Sequence, residues 1–362
     1  MSRVLVAMSG GVDSSVAAKL LIDAGHDVVG ATMRLVTNEV VGAAGSNTCC
    51  SLEDVADARA VCDMLGIPHH TFDLDDDFTE QVIERWVAAY EAGLTPNPCI
   101  WCNRYMKFEL LWDLAQKLGC DKLATGHYAR VLRDPSGGPA RLAKARFLEK
   151  DQSYVLWPVR QEALRNLILP LGEFTSKDEV RSIAEASGFV TARKHDSQDI
   201  CFVPGGDWPA YLDRWRGHPE KPGHIVDAEG NVVGWHRGMV RYTIGQRKGL
   251  GVSAGRRIYV VAKDAATNTV RVGDNDELLS TSFRAGEAIW PAGEVPSGTV
   301  RGEVVCCYNG FPHSCTVEPL GTDTFNVTCD KSVRAVAPGQ SAVVYDGDVV
   351  ICGGVIIGRA HV

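Results

Sequence analysis

Apolar positions over the first 125 residues follow two alternating periods. Short, nearly continuous apolar runs at Arg3–Met8, Val28–Met33, Pro68–Leu74 and Lys122–Thr125 predict buried strands. Between them, Ser14–Ala24, Ser51–Leu65, Phe78–Ala92 and Tyr105–Leu118 repeat apolar residues every three to four positions, with Gly25 and Gly66 as stops. Strands spaced by helices of this length predict a parallel sheet covered on both faces. Ligands in such sheets sit beyond the carboxyl ends of the strands. Two segments fall there: Ser9–Ser15 after the first strand and Gly126-His127 after the fourth.

After about Pro158 the pattern changes. Thr175 or Ser176 predicts the cap of a helix running to Ala186, with Glu179 suited to a capping box and Gly188 to the stop. His224–Asp227 and Val232–Trp235 read as a hairpin across the turn AEGN. From about Asp276 the segments Val300–Tyr308, Cys315–Leu320, Thr324–Cys329 and Ser341–Tyr345 alternate apolar and polar residues. The resulting fold class is an α/β N-terminal domain (1–160) and a small mixed α+β central domain (161–275), followed by a C-terminal antiparallel β-barrel (276–362). No internal repeat or low-complexity segment breaks this order.

Composition narrows the setting. No run of 18 apolar residues occurs, and the opening MSRVLVAMSGG lacks the layout of a secretory signal. Twelve cysteines in that context predict reduced thiols in the cytoplasm, serving catalysis or metal binding rather than disulfide staples. The net charge of −8 weighs mildly against a nucleic-acid partner, but a binding footprint is local. Asp73–Glu84 carries six acids, whereas Asn231–Lys263 carries seven Lys/Arg and no acid. The basic Gly-rich stretch His236–Gly251 could hold phosphates or could be a solvated hairpin with a core Tyr242. Trp208, Trp215 and Trp235 are expected in the core rather than as platforms for bases.

The loop Ser9-Gly10-Gly11-Val12-Asp13-Ser14-Ser15 joins a strand to a helix. Adjacent glycines let backbone approach an anion, and the serine hydroxyls and helix-start amides supply donors. Neither a Walker loop nor a dinucleotide fingerprint is present. The second informative stretch is Thr95-Pro96-Asn97-Pro98-Cys99-Ile100-Trp101-Cys102. Asn97 suits an N-cap and Pro98 the first helical position, which sets Cys99 and Cys102 one turn apart near the positive end of a helix. That placement favours thiolates. By itself the CxxC could be half a zinc site, a redox pair or two core cysteines. No second CxxC completes a zinc site, although Cys49-Cys50 and Cys306-Cys307 are adjacent pairs. Cys201 lies in a polar stretch, HDSQDICF, and nothing in the spacing joins it to Cys102.

SGGVDSS resembles the PP-loop of ATP pyrophosphatases, which implies ATP cleaved between its α- and β-phosphates. Together with TPNPCxxCN, ATGHYAR, KDQSYVLW, DSQDICF and YTIGQRKGLG, it resembles the tRNA-specific 2-thiouridylase family (MnmA type) over nearly the whole chain. The resemblance implies a PP-loop domain of the adenine-nucleotide α-hydrolase type and a tRNA-binding central domain whose Cys201 segment reaches the active site. It implies that the wobble uridine is adenylated at its C2 oxygen, which sulfur then replaces. Cys201 would carry a persulfide and Cys102 would be its partner nucleophile, the two forming a transient disulfide. ATP would be bound by Ala7, Met8, Ser9, Gly10, Gly11, Val12, Asp13 and Ser14, with Met33 and Gly126. Asn97, Pro98 and Cys99 would meet the target base. His127, Lys150, Asp151, Gln152, Cys307, Tyr308 and Gln340 would contact tRNA. Many relatives carry Asp at position 99 and a basic residue at 307, so this chain departs there.

ATP and Mg2+ are the implied cofactors. The implied partners are the tRNA anticodon stem-loop and a sulfur donor, such as a cysteine desulfurase or a sulfur-relay protein, with no membrane. Cys99, Cys102 and Cys201 could alternatively ligate a [4Fe–4S] cluster by three irons. Two other classes compete: a PP-loop synthetase acting on a small molecule, and a non-enzymatic sulfur or metal carrier that binds RNA.

Overall fold

A computed structural model describes residues 1–36, 52–195, 200–252 and 255–359. Strand β1 (Arg3–Ala7) leads into α1 (Val12–Asp23), β2 (Asp27–Arg34), α2 (Leu52–Leu65) and β3 (His69–Asp73). The next helical run joins α3 (Asp75–Phe78), a π-wound turn (Thr79–Glu84) and α4 (Arg85–Glu91). A second run joins α5 (Pro98–Trp101), a π-wound stretch (Cys102–Leu110) and α6 (Leu111–Lys117), and β4 (Lys122–Ala124) follows. Then come the hairpin β5 (Ala129–Leu132) and β6 (Arg141–Lys144), α7 (Ser153–Leu156), α8 (Gln161–Asn166), β7 (Leu167–Ile168) and α9 (Lys177–Ala186).

The first sheet has order β3-β2-β1-β4-β7, and all of its pairings are parallel. Val4, Leu5 and Val6 of β1 are fully buried, as continuous apolar strands covered on both faces must be. Residue 160, where the sequence suggests a change of domain, falls inside this unit: β7 extends its sheet, and Val180 and Ala184 of α9 share a core with Val12 and Val16. Helix α10 (Trp208–Arg216) likewise buries Tyr211 and Leu212 in the core around Trp86. Ser176 caps α9 as expected, its Oγ accepting from Glu179 N at 3.3 Å.

The central unit is a four-stranded sheet of β8 (Gly223–Val226), β9 (Val232–His236), β10 (Tyr259–Asp264) and β11 (Thr269–Gly273), ordered β10-β11-β8-β9. Its own core includes Ile225, Tyr242, Val260 and Val270, so Tyr242 packs inward. Trp208 and Trp215 stack on Tyr90 and Tyr211, whereas Trp235 is 68% exposed on the edge strand β9 and corrects the expectation that it is a core residue.

The last unit is an antiparallel barrel of β12 (Leu279–Ile289), β13 (Val300–Val305), β14 (His313–Pro319), β15 (Phe325–Arg334), β16 (Ser341–Asp346) and β17 (Val349–Arg359). The order β12-β15-β14-β13-β16-β17 closes through β12–β17 pairing, which removes the exposed edges. Hairpin β5–β6 joins this sheet through β17, and Trp157 lies against Gly353, where a Cβ would be 2.5 Å from the ring. The barrel is therefore docked on the first unit.

Candidate active site

The Gly-rich loop sits where the sequence predicts, after β1 and at the start of α1. Gly10 has φ +68, and a Cβ there would lie 2.3 Å from Asp54 O. Ser14 Oγ donates to Gly11 O at 3.1 Å and accepts from Ser9 N at 3.2 Å, which ties the loop to the helix. No side chain caps α1, so its first-turn amides lack intrahelical acceptors and can face an anion. Gly126, after β4, closes on this start: a Cβ would be 2.8 Å from Ser14 N. Met33 ends the buried part of β2 nearby, and Thr32 Oγ1 donates to Met8 O at 2.8 Å.

Asp13 is held by two residues that the sequence does not single out. Lys177 Nζ lies 2.7 Å from both carboxylate oxygens, and Tyr128 OH donates to Oδ1 at 2.8 Å. The only cue for Lys177 is its place as the first residue after the Ser176 cap. Ser15 Oγ meets Thr191 Oγ1 at 3.0 Å, and Lys194 bridges Asp54 and Asp57 at 2.7 and 2.6 Å. The segment that leads toward Cys201 is thus pinned to the back of the nucleotide loop. Residues 196–199 of the DSQDICF motif, like Cys49 and Cys50, lie outside the described residues.

Asn97 caps the second helical run as expected: its backbone is extended and its Oδ1 accepts from Cys99 N at 3.1 Å. The two thiols of CxxC differ in environment, Cys99 being exposed and Cys102 buried. Behind Cys102, Asn103 Nδ2 donates to Val155 O at 2.8 Å and Lys107 Nζ to Asn103 Oδ1 at 2.9 Å. Lys107 also reaches His127 Nε2 at 3.4 Å, and His127 Nδ1 lies 2.7 Å from Thr125 Oγ1. A lysine only donates, so Nε2 is the acceptor and Nδ1–H donates to Thr125. Burial and the Lys107 charge hold the imidazole pKa well below its usual value, which keeps the ring neutral. This hydrogen-bond chain links the thiol helix to the carboxyl end of β4, beside Gly126.

Cys201 is partly exposed and packs against the same core that contains Cys102, with Phe202 set edge-on to Phe78 and Trp86. Among the described residues, no three His, Cys, Asp or Glu side chains gather closely enough to hold a metal ion. Cys99, Cys102 and Cys201 therefore offer no ready cluster site in this conformation. Nor does Asp13 offer a standing Mg2+ site, since both of its oxygens are already engaged.

The residues expected at tRNA divide into two groups. Asp151 accepts from Ala145 N and Ser153 Oγ at 2.8 and 2.6 Å, and Gln152 Oε1 accepts from Tyr128 N at 2.9 Å, so both side chains brace the local backbone. Burial raises the Asp151 pKa against the lowering effect of these donors. Tyr308 is 46% exposed, its ring 6.0 Å from Tyr154, and partial burial raises its phenol pKa. Exposed Cys307 precedes it on the β13–β14 connection. Gln340 Nε2 donates to Thr95 O at 2.7 Å. In the central unit Arg247, Arg256 and Arg257 line an open groove of about 490 Å³.

Family profiles match the chain in three pieces. One described as "tRNA methyl transferase HUP domain" covers residues 2–205. "tRNA methyl transferase PRC-barrel domain" covers 213–274, and "Aminomethyltransferase beta-barrel domain" covers 280–356. The tRNA-specific 2-thiouridylase MnmA of Moorella thermoacetica is 44% identical over 361 residues, 99% of this chain and 100% of that one. The protein of the same description from Mycobacteroides abscessus is 45% identical over 362 residues, 98% and 99% of the two chains. Its counterpart in Clostridioides difficile is 41% identical over 355 residues, 98% of each. At this identity and coverage, the chain belongs to the tRNA-specific 2-thiouridylase family.

Proposed function

We propose that this protein is an ATP-dependent tRNA sulfurtransferase that converts the C2 carbonyl of the wobble uridine, position 34, to a thiocarbonyl. The observation that carries this reading is the convergence of two sites at one sheet edge. The loop after β1 and the Cys102 helix both meet the Thr125–His127 segment after β4. ATP would lie on Ser9–Ser14 with its phosphates over the first turn of α1, and Mg2+ would accompany the nucleotide on its phosphate oxygens. The thiolation steps are carried by the sulfurs of Cys201 and Cys102.

In the first step the uridine C2 oxygen attacks the α-phosphorus of ATP and pyrophosphate leaves. The terminal sulfur of a Cys201 persulfide then attacks C2, and AMP departs with its oxygen. Cys102 thiolate attacks the Cys201 sulfur, breaking the S–S bond and leaving sulfur on the base and a Cys102–Cys201 disulfide. A two-electron thiol reductant restores the pair. The sulfur donor would be a cysteine desulfurase or a sulfur-relay protein, and the anticodon stem-loop would dock against Lys150, Cys307 and Tyr308. The thiol chemistry suits a reducing cytoplasm, and no helix among the described residues is long and apolar enough to cross a membrane. We assign three units, with α10 closing the first, the sheet β8–β11 forming the second and the barrel the third. AMP and pyrophosphate release measured with and without tRNA tests the reading. Release that depends on tRNA supports it; release driven by a small-molecule acceptor alone identifies a synthetase instead.

A further inference from the structure

Residues 93–95 connect α4 to the thiol helix, and two other parts of the molecule hold their backbone. From the central sheet, Lys263 Nζ of β10 donates to Leu94 O at 3.1 Å. The Lys263 stem and Met239 pack around Gly93, both within 3.8 Å of where its Cβ would stand. From the barrel, Thr95 N donates to Pro338 O at 2.9 Å, and Gln340 Nε2 donates back to Thr95 O at 2.7 Å. Gly339 comes so close that a Cβ there would be 2.8 Å from Thr95 N. Successive peptide groups of one short connection are thus gripped by two separate units of the fold.

The chain between this grip and the thiol helix is stiff. Thr95 and Asn97 each precede a proline, which confines them to extended backbone, and the prolines fix their own φ. Asn97 then caps the helix that carries Cys99 and Cys102. Little between Thr95 and Cys102 can absorb a displacement, so the grip and the thiol move together. Burial pushes the Lys263 ammonium down to about 8, with Glu220 opposing the shift, and both protonation states can donate to Leu94 O.

We propose that Lys263 and Gln340 are positioning residues that clamp the Leu94–Thr95 backbone between the central sheet and the barrel, and so aim Cys102 at its sulfur partner. The clamp rests on the thiolation reading. Gln340 then serves tRNA thiolation through the protein backbone, by its Nε2 bond to Thr95 O, in addition to any contact its Oε1 makes with RNA. The nucleotide loop makes none of these contacts, so the clamp bears on sulfur transfer rather than on ATP binding. Loosening it should leave the base joined through sulfur to Cys201, with no aligned Cys102 thiolate to break the S–S bond and free the thiolated uridine.

The test uses the full chain, loaded with persulfide and in excess over tRNA, and counts 2-thiouridine formed per pyrophosphate released at a fixed early time in a single turnover with ATP. Lys263→Met and Gln340→Met remove the donors with little change in shape, and Lys263→Arg keeps one. A misplacement near 1 Å costs on the order of 100-fold in a positioned reaction, so a ratio at least about tenfold below wild type is expected for each Met variant. Lys263→Arg should recover part of the ratio. A purely structural role lowers the folded fraction, which thermal unfolding reports, and reduces both products alike; an unchanged ratio in the Met variants overturns the clamp. Weaker tRNA binding by Gln340→Met at an unchanged ratio would make Gln340 an RNA contact and overturn its part. Absence of tRNA-dependent pyrophosphate release from wild type would instead sink the thiolation reading.

Discussion

Adding one methyl group at Gly10 separates the nucleotide loop from the rest of the fold. Alanine there must adopt φ +68, which costs about 1–2 kcal/mol, and its Cβ would lie 2.3 Å from Asp54 O. That is about 1 Å short of ordinary contact, and relief by shifting the loop or α2 adds roughly 1–3 kcal/mol of overpacking. The Lys194 bridges to Asp54 and Asp57 hold α2 in place, so the loop must give. A loop moved by about 1 Å under the phosphates should slow tRNA-dependent pyrophosphate release by roughly 100-fold. Gly25→Ala is the matched control: φ is +82 but nothing stands within 4 Å, so only the backbone cost applies and turnover should persist. The assay is pyrophosphate release at saturating tRNA across an ATP titration, with melting curves for both variants. Wild-type release from Gly10→Ala would refute the assignment of ATP to this loop.

The same geometry leads to three further outcomes. Arg247→Ala and Lys248→Ala should each flatten the log–log salt dependence of tRNA binding by about 0.7–0.9. Arg241→Ala should change it less, since its guanidinium is 3.2 Å from the Asp213 carboxylate; an unmoved slope in all three variants places tRNA elsewhere. Alkylation at pH 8 should mark exposed Cys99 well before Cys62, whose buried thiol is pushed up to about 12, and Cys99→Ser should retain thiolation that Cys102→Ser and Cys201→Ser abolish. About four irons per chain after anaerobic purification, with all three variants inactive, would replace the persulfide route by a cluster. Finally, Lys263 with its lowered folded-state pKa burdens the fold fully below about 8 and is relieved as pH rises toward the unfolded value. Wild type should therefore gain stability relative to Lys263→Met between about pH 8 and 10, by at most about 1.4 kcal/mol per unit; parallel melting curves over that range would refute it.

Local signals carried much of this architecture. The Asn97-Pro98 cap, the Ser176 cap and the strand–glycine–helix junction at Ser9 are each settled by neighbours within four residues, and they appear where the spacing requires. Barrel closure was less legible. β12 is largely polar in sequence and β17 is interrupted by Gly353-Gly354, so neither shows the alternation seen in β14 and β15. The β5–β6 strands are four residues each, too short for a period to stand out. Long-range partnerships left no trace. Lys177 meets Asp13 across 164 residues and Gln340 meets Thr95 across 245, and no local pattern encodes either pairing. Trp235 misleads because an apolar aromatic in an alternating strand reads as core, yet the face it occupies on β9 is left uncovered.

Nucleoside mass spectrometry of tRNA from cells lacking this protein, with and without the gene restored, bears on the chemistry itself. Thiolation of the wobble uridine predicts that 2-thiouridine vanishes in the deletion and returns with wild type, but not with Cys102→Ser or Cys201→Ser. An unchanged 2-thiouridine level, or loss of a methylated nucleoside in its place, would contradict it.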